Sequence, residues 1–469
     1  MLISLLSISW IGKHSFLALS LAIFGGLVIG IFITLFGKFK GQASGSWALW
    51  VEPAIVLLFS PALLFPSQER LIFFPGIFIV FFFHFIIRKR FVELNPALIP
   101  VALLLIMVLV SIYATYDIQQ SLPKVAGVLL GAMAFISISN SALSRHQVIV
   151  IIAAFIFGGV GLAGMGLIGT QWISKFPYIG KITSHLPVII KGLKGAEEGF
   201  QPNAIAGSLI LFVPLQIALV YRFLRHGFAY RYMKAVFAIL LASLLITGGV
   251  IILTQSRGGW LGLAMGLLIL LAWSSYPGKW ISGIAFILGT AAMLWIGPKK
   301  VGDFMISAIG GTSGIGGSLQ GRIEVWSRAI YGIADFPFTG MGMNTFRKVV
   351  HVLYPLFLVA PDTDIAHCHN QLLQTALDLG IPGLVAYVML LSTGITMGLF
   401  IWRRSQDPWF RSIAQGLVCG IIAQQVFGIT DAIALGAKFG IFFWVALGIL
   451  AAMFCLTKQE MTEQKKMPA

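Results

Sequence analysis

Residues 233–260 read MKAVFAILLASLLITGGVIILTQSRGGW. From Ala235 to Leu253 no side chain is charged; Thr254-Gln255-Ser256 and an arginine then interrupt the run before a second apolar stretch begins at Gly258. About 20 apolar residues in a helix cross the ~30 Å hydrocarbon layer of a bilayer, so the run predicts a membrane span. A polar group in hydrocarbon costs several kcal/mol unless it reaches water, a partner or a charged ligand, so Arg257 belongs at a membrane face.

The same pattern recurs along the chain. Spans are predicted near 16–36, 47–65, 71–87, 97–115, 122–140, 147–170, 203–223, 233–253, 258–273, 279–296, 375–402, 412–430 and 438–456, about thirteen in all. Composition agrees: the 469 residues are 58% hydrophobic and only 10% charged, against about 25% charged in a soluble domain. The expected fold is all-α, a polytopic membrane helix bundle. Three parts are expected: an N-terminal transmembrane bundle over 1–296, an extracytoplasmic loop with amphipathic helices over 297–374, and C-terminal transmembrane helices with a cytoplasmic tail over 375–469.

A net charge of +16 does not point to nucleic acid, because the basic residues are not gathered on one polar face. Arg88-Lys89-Arg90, then Arg222, Arg225, Arg231 and Lys234, then Arg403, Arg404 and Arg411 fall in alternate loops, with Lys458, Lys465 and Lys466 in the tail. Cytoplasmic loops are enriched in Lys and Arg, which places these inside and the segments 171–202 and 297–374 outside. The first apolar run reads as an anchor, not a cleaved leader. Three cysteines, two of them in predicted spans, predict no structural disulfide. The Gly-rich stretch 309–318 lacks a P-loop pattern.

Polar residues with chemical potential gather on the predicted outer side. Arg257 and Arg322 each admit two readings, an interfacial or loop charge (Arg322 pairing with Glu324) or a phosphate clamp, since a guanidinium fork matches phosphate oxygens. Ser256 flanks the first. Arg328, Arg347 and Lys348 are further cations there, read first as structural or electrostatic. His367-Cys368-His369 lacks a well-spaced fourth ligand, so no metal is expected; a base plus a positioning partner is preferred, as imidazole titrates near neutrality. Asn370 is a candidate to orient the ring or the acceptor. Asp362, Asp364 and Asp378 are candidate supporting carboxylates, with solvated loop charge as the default.

These elements occur in a fixed order: Ser256-Arg257-Gly258, Gly321-Arg322 with Trp326, Pro337-Phe338-Thr339-Gly340-Met341-Gly342, then His369-Asn370, Leu373-Gln374 and Leu379-Gly380-Ile381-Pro382-Gly383. The ordered set resembles the O-antigen ligase/polymerase superfamily, over roughly residues 200–400. Gln201-Pro202-Asn203-Ala204, after Glu197-Glu198, resembles the branch whose members carry an inorganic-carbon transporter label. The resemblance implies a GT-C-like membrane glycosyltransferase that moves a glycan from an undecaprenyl diphosphate carrier to a glycan, lipid or protein acceptor, inverting and without metal or other cofactor. It implies Arg257 and Arg322 on the diphosphate and His369 as base, with His367, Asn370, Gln374, Ser256 and Arg347 as substrate-binding positions. The partners implied are the lipid-linked donor, the acceptor and the bilayer, with no nucleic acid.

The competing reading is a transporter, which predicts ionisable groups at mid-membrane and two related halves. Glu52 and His84 are the few intramembrane candidates, Asp431 lies near a span end, and the notable polar groups share one membrane side instead. A third reading, a non-catalytic scaffold, would require neither His369 nor the arginines.

Overall fold

A computed structural model describes residues 93–141, 144–190, 198–227, 230–296, 319–360 and 363–466, with a few positions between 53 and 60. The predicted spans at 16–36 and 71–87, most of that at 47–65 and the Gly-rich stretch lie outside these residues. The described chain is helical: α1 Leu98–Ala114, α2 Ile118–Ser141, α3 Arg145–Gly169, α4 Pro177–Thr183, α5 Pro202–Leu209, α6 Val213–His226, α7 Arg231–Leu253, α8 Arg257–Ser274, α9 Tyr276–Ile296, α10 Leu319–Asp335, α11 Phe346–Leu353, α12 Gln371–Arg404, α13 Pro408–Phe427 and α14 Ile441–Lys466. Every predicted span from 97 onward has a helix. Among the described residues, seven helical segments are long and apolar enough to cross a membrane. Isolated strands cannot satisfy their backbone in lipid, which is why such a sequence goes helical.

The chain forms two compact units. The first comprises Met1–Leu98, Asp117–Ile151 and Leu435–Ala469. In it α2 packs on α14, with Trp444 fully buried against Gly131 and its indole N–H donating to the Leu435 carbonyl at 3.3 Å. Arg145 pairs with Glu460 at 3.0 Å beside the basic tail.

The second unit, Ile99–Tyr116 and Ile152–Ala434, holds every candidate residue. Its spine is α13, flanked by α6, α8 and α12. Helix contact in lipid lacks a hydrophobic drive and relies on small residues that let backbones approach. α8 supplies Gly258, Gly262 and Gly266, one helical face. A Cβ on these would stand 2.5 Å from the Thr430 hydroxyl, 2.5 Å from the Ala423 carbonyl oxygen and 2.7 Å from the Ala423 methyl. The outward faces are apolar, as with Ile239 and Leu245 on α7.

α12 is two helices joined at Gly380, whose φ of 71° leaves the helical region. The break receives the 337–342 turn: Ile381 N–H donates to the Pro337 carbonyl and Met341 N–H to that of Leu377, both at 2.7 Å. Gly340 (φ +67°) and Gly380 meet backbone to backbone, so a Cβ on Gly340 would lie 2.6 Å from the Gly380 nitrogen. Gly340→Ala is therefore expected to cost on the order of 2–4 kcal/mol, from a left-handed backbone and a contact that nothing flexible relieves. A thermal melt of the purified protein that leaves Gly340→Ala at the wild-type midpoint would refute this.

Candidate active site

The site lies at the end of the second unit opposite its basic end. Arg222 and Arg225 near the end of α6, Arg403 and Arg404 ending α12 and Arg411 in the first turn of α13 mark the basic end. The N-termini of α5, α8 and α12 and the C-terminus of α13 mark the other. α8 begins there because Ser256 caps it, its hydroxyl accepting from Gly259 N–H at 3.3 Å. α12 begins there because the Asn370 carboxamide oxygen accepts from Leu372 and Leu373 N–H, both at 3.0 Å; such caps satisfy N–H groups that the helix cannot.

Asp431 is the centre of the arrangement. It follows α13 in a turn and is 4% exposed. One carboxylate oxygen accepts from His369 Nδ1 at 3.2 Å and from Ala432 N–H at 2.9 Å, with His367 Nε2 at 3.5 Å. The other accepts from the Asn203 carboxamide at 2.7 Å. Burial alone would raise its pKa; the charges of His369, His367 and Arg322 and the His369 hydrogen bond outweigh it and hold the carboxyl well below the usual carboxylate range. Asp431 is thus an anion across physiological pH.

The two imidazoles stand edge to face, centroids 4.5 Å apart. His369 adopts a left-handed backbone, φ 54°, an arrangement that costs about 1–3 kcal/mol and persists where surroundings enforce it. His367 Nδ1 accepts from the His369 amide at 3.2 Å, so both its ring nitrogens face partners. His369 commits Nδ1 to Asp431, and its Nε2 makes no hydrogen bond among the described residues. The loop is held from behind by Gln374, which accepts from Cys368 N–H at 2.8 Å and donates to Asp378 at 2.9 Å. Cys368 is fully buried, and burial pushes its thiol far above the ordinary range.

Three cations surround this dyad. Arg322, on α10 and 7% exposed, donates NH1 to the Thr430 carbonyl at 2.5 Å. Arg257 sits at the first position of α8, its guanidinium 5.4 Å above the Phe176 ring. Lys175, in the turn before α4, lies in the field of both arginines and of Asp431. The amides of Lys175 and Phe176 donate to the buried Gln255 side-chain oxygen at 2.8 and 2.7 Å, and Phe176 stacks on Trp260. The donor atoms of His367, His369 and Asp431 lie within 4.8 Å of one another, a set able to hold a metal ion; Arg322 and Lys175 beside them work against a dication.

The expected residues divide accordingly. Arg257, Arg322, His367 and His369 converge. Ser256, Asn370 and Gln374 serve the backbone that carries them: Asn370, expected to orient a ring or the acceptor, has its side chain committed to the α12 cap and, at 3.1 Å, to the Ile429 carbonyl. Arg347 makes a bidentate pair with Asp364. Glu324 does not pair with Arg322; it accepts from the amides of Phe357, Leu358 and Val359 and faces Arg328 at 3.6 Å. The carboxylate behind His369 is Asp431, not Asp364 or Asp378; Asp362 lies outside the described residues. Sequence reasoning missed Asp431, Asn203 and Lys175 as members. The available signal was shared position, since Asp431 and Asn203 lie at predicted span ends and Lys175 in an outer segment, all on the side of His369.

No curated protein matches the chain. Residues 241–388 match the family model described as O-Antigen ligase. That stretch runs from within α7 to within α12 and contains both arginines and both histidines, while Lys175 and Asn203 precede it and Asp431 follows it. Residues 241–388 of this multi-pass helical chain are thus similar to an O-antigen ligase domain, which supports a ligase- or polymerase-type membrane glycosyltransferase family.

Proposed function

We propose that the protein transfers a glycan from an undecaprenyl diphosphate carrier to an acceptor hydroxyl, at the outer face of a bacterial plasma membrane, with inversion at the anomeric carbon and without a metal. The observation that carries this reading is the convergence of Arg257, Arg322 and the Asp431–His369 dyad at one membrane end. Asp431 keeps the His369 proton on Nδ1, which leaves Nε2 as the acceptor of a proton. His369 is accordingly the base and His367 its positioning neighbour. As the acceptor oxygen bonds to the anomeric carbon, its proton passes to His369 Nε2 and the bond to the diphosphate oxygen breaks. The charge that collects on the departing diphosphate falls beside fixed cations, which stabilise it without reorganisation. The α8 N-terminus adds its backbone dipole. The basic loops at the other end support placing this end outside.

The test is the surface-glycan profile of a deletion strain complemented with wild type or His369→Ala. Loss of long glycan, restored by wild type alone, is the expected result. A profile unchanged by deletion would count against glycan transfer, and bicarbonate or solute uptake would then be measured.

A further inference from the structure

We propose that Lys175 is a third cation of the diphosphate site, carried to it by the Gln255 side chain, so that the site binds the donor's phosphates with Lys175, Arg257 and Arg322 together. The inference rests on the anion-site reading above and extends it to a segment outside the matched domain.

Three observations support it. First, the turn bearing Lys175 is fastened to the turn bearing Arg257 by several independent contacts. Gln255 receives both amides of Lys175-Phe176, Phe176 stacks on Trp260 with centroids 5.2 Å apart, and Arg257 lies over the same Phe176 ring. Gln255 does this from a left-handed backbone, φ 51°, fully buried. A surface loop needs no such fastening; a ligand-bearing one does.

Second, Lys175 stands among other cations. Lys175 is repelled by Arg257 and Arg322, and the one carboxylate acting on it among the described residues, Asp431, is already engaged by two histidines and Asn203. Burial and the two arginines lower the Lys175 pKa. Like charges gathered at a half-buried place are unfavourable unless an anion joins them. A diphosphate diester brings two negative charges, and the departing diphosphate monoester brings more.

Third, the neighbourhood holds hydrogen-bond donors without acceptors. Among the described residues, the buried side-chain atoms lacking a partner include Trp172 Nε1, Gln255 Nε2, Arg322 Nε and Trp326 Nε1. All four are N–H donors, and all four sit on the segments that bear Lys175, Arg257 and Arg322. Arg322 and Gln255 are each more than nine-tenths buried. A buried donor without an acceptor is costly, and phosphate oxygens are acceptors only.

The experiment uses full-length protein in phosphatidylcholine nanodiscs, titrated with inorganic diphosphate, for wild type, Lys175→Met, Lys175→Arg, Arg257→Ala and Arg322→Ala. Wild type is expected to bind, Lys175→Met to bind at least about tenfold more weakly, as for a lost charge-assisted hydrogen bond, and Lys175→Arg to lie between. The melting temperature of unliganded Lys175→Met controls for folding and is expected not to fall, since the substitution relieves repulsion. If the arginine variants lose affinity and Lys175→Met does not, Lys175 is not a ligand and the anion-site reading survives. If wild type does not bind, or none of the three cations matters, both fail. Replacing phosphatidylcholine with phosphatidylglycerol distinguishes a bilayer headgroup: a Lys175-dependent stabilisation by that lipid alone would overturn the assignment to diphosphate.

Discussion

His369→Ala is expected to lower turnover by about 10²–10⁴-fold, the usual contribution of a positioned general base, while leaving donor affinity near that of wild type. The separation follows from geometry. His369 reaches Asp431 through Nδ1 and turns Nε2 away from it, whereas the groups assigned to the diphosphate are on other segments. Asp431→Asn is expected to follow with a smaller loss, on the order of 10²-fold at most, because it removes the orienting partner and not the base. Asp431 stays ionised well below the ordinary carboxylate range, so its protonation does not set the acid limb of the rate profile. A single-turnover assay with purified lipid-linked donor reads both quantities. Wild-type turnover in His369→Ala would remove it as the base, and wild-type turnover in Asp431→Asn would remove the orienting role of the carboxylate.

Arg322→Ala is expected to reduce kcat/KM by about 10²–10³-fold, the range for loss of one preorganised charge-stabilising group. Arg322→Lys should recover only part of this, because an ammonium cannot hold the Thr430 carbonyl and present a second face of the same fork. Stability should fall as well, since Asp431 is left buried with less compensating charge. Measuring affinity for inorganic diphosphate on folded protein separates the two effects. Normal diphosphate affinity in Arg322→Ala would show that the residue serves only the α13 turn.

The helices were legible in the sequence because each carries its own signal: a long apolar run ended by polar or basic residues, which is a local property. Arg257, Arg322 and His369 were legible for a related reason, as charges beside hydrocarbon that need an explanation. Asp431 was not assigned, because a lone aspartate at a span end reads as an interfacial charge until the fold brings His369 to it across 62 residues. Lys175 was hidden among other lysines of an apparently amphipathic segment, and only the Gln255 contact singles it out. Asn370 and Gln374 misled in the opposite sense: polar residues beside a histidine look chemical, yet their hydrogen bonds go to backbone and to Asp378. Pairing across long separations is set by packing, and composition does not encode it.

The glycine face of α8 has a mechanical consequence. Because Gly258, Gly262 and Gly266 admit no side chain between α8 and α13, the two helices are indexed to one another by close contact over the first half of α8. Arg257 precedes the first of these glycines, and the Thr430 hydroxyl that this glycine meets is adjacent to Asp431. A slip of one residue would carry Arg257 about 1.5 Å along the axis and turn it by about 100°, away from the dyad. Bilayer thinning or thickening that tilts one helix must therefore tilt the other, and the spacing between Arg257 and Asp431 is insulated from changes in bilayer thickness.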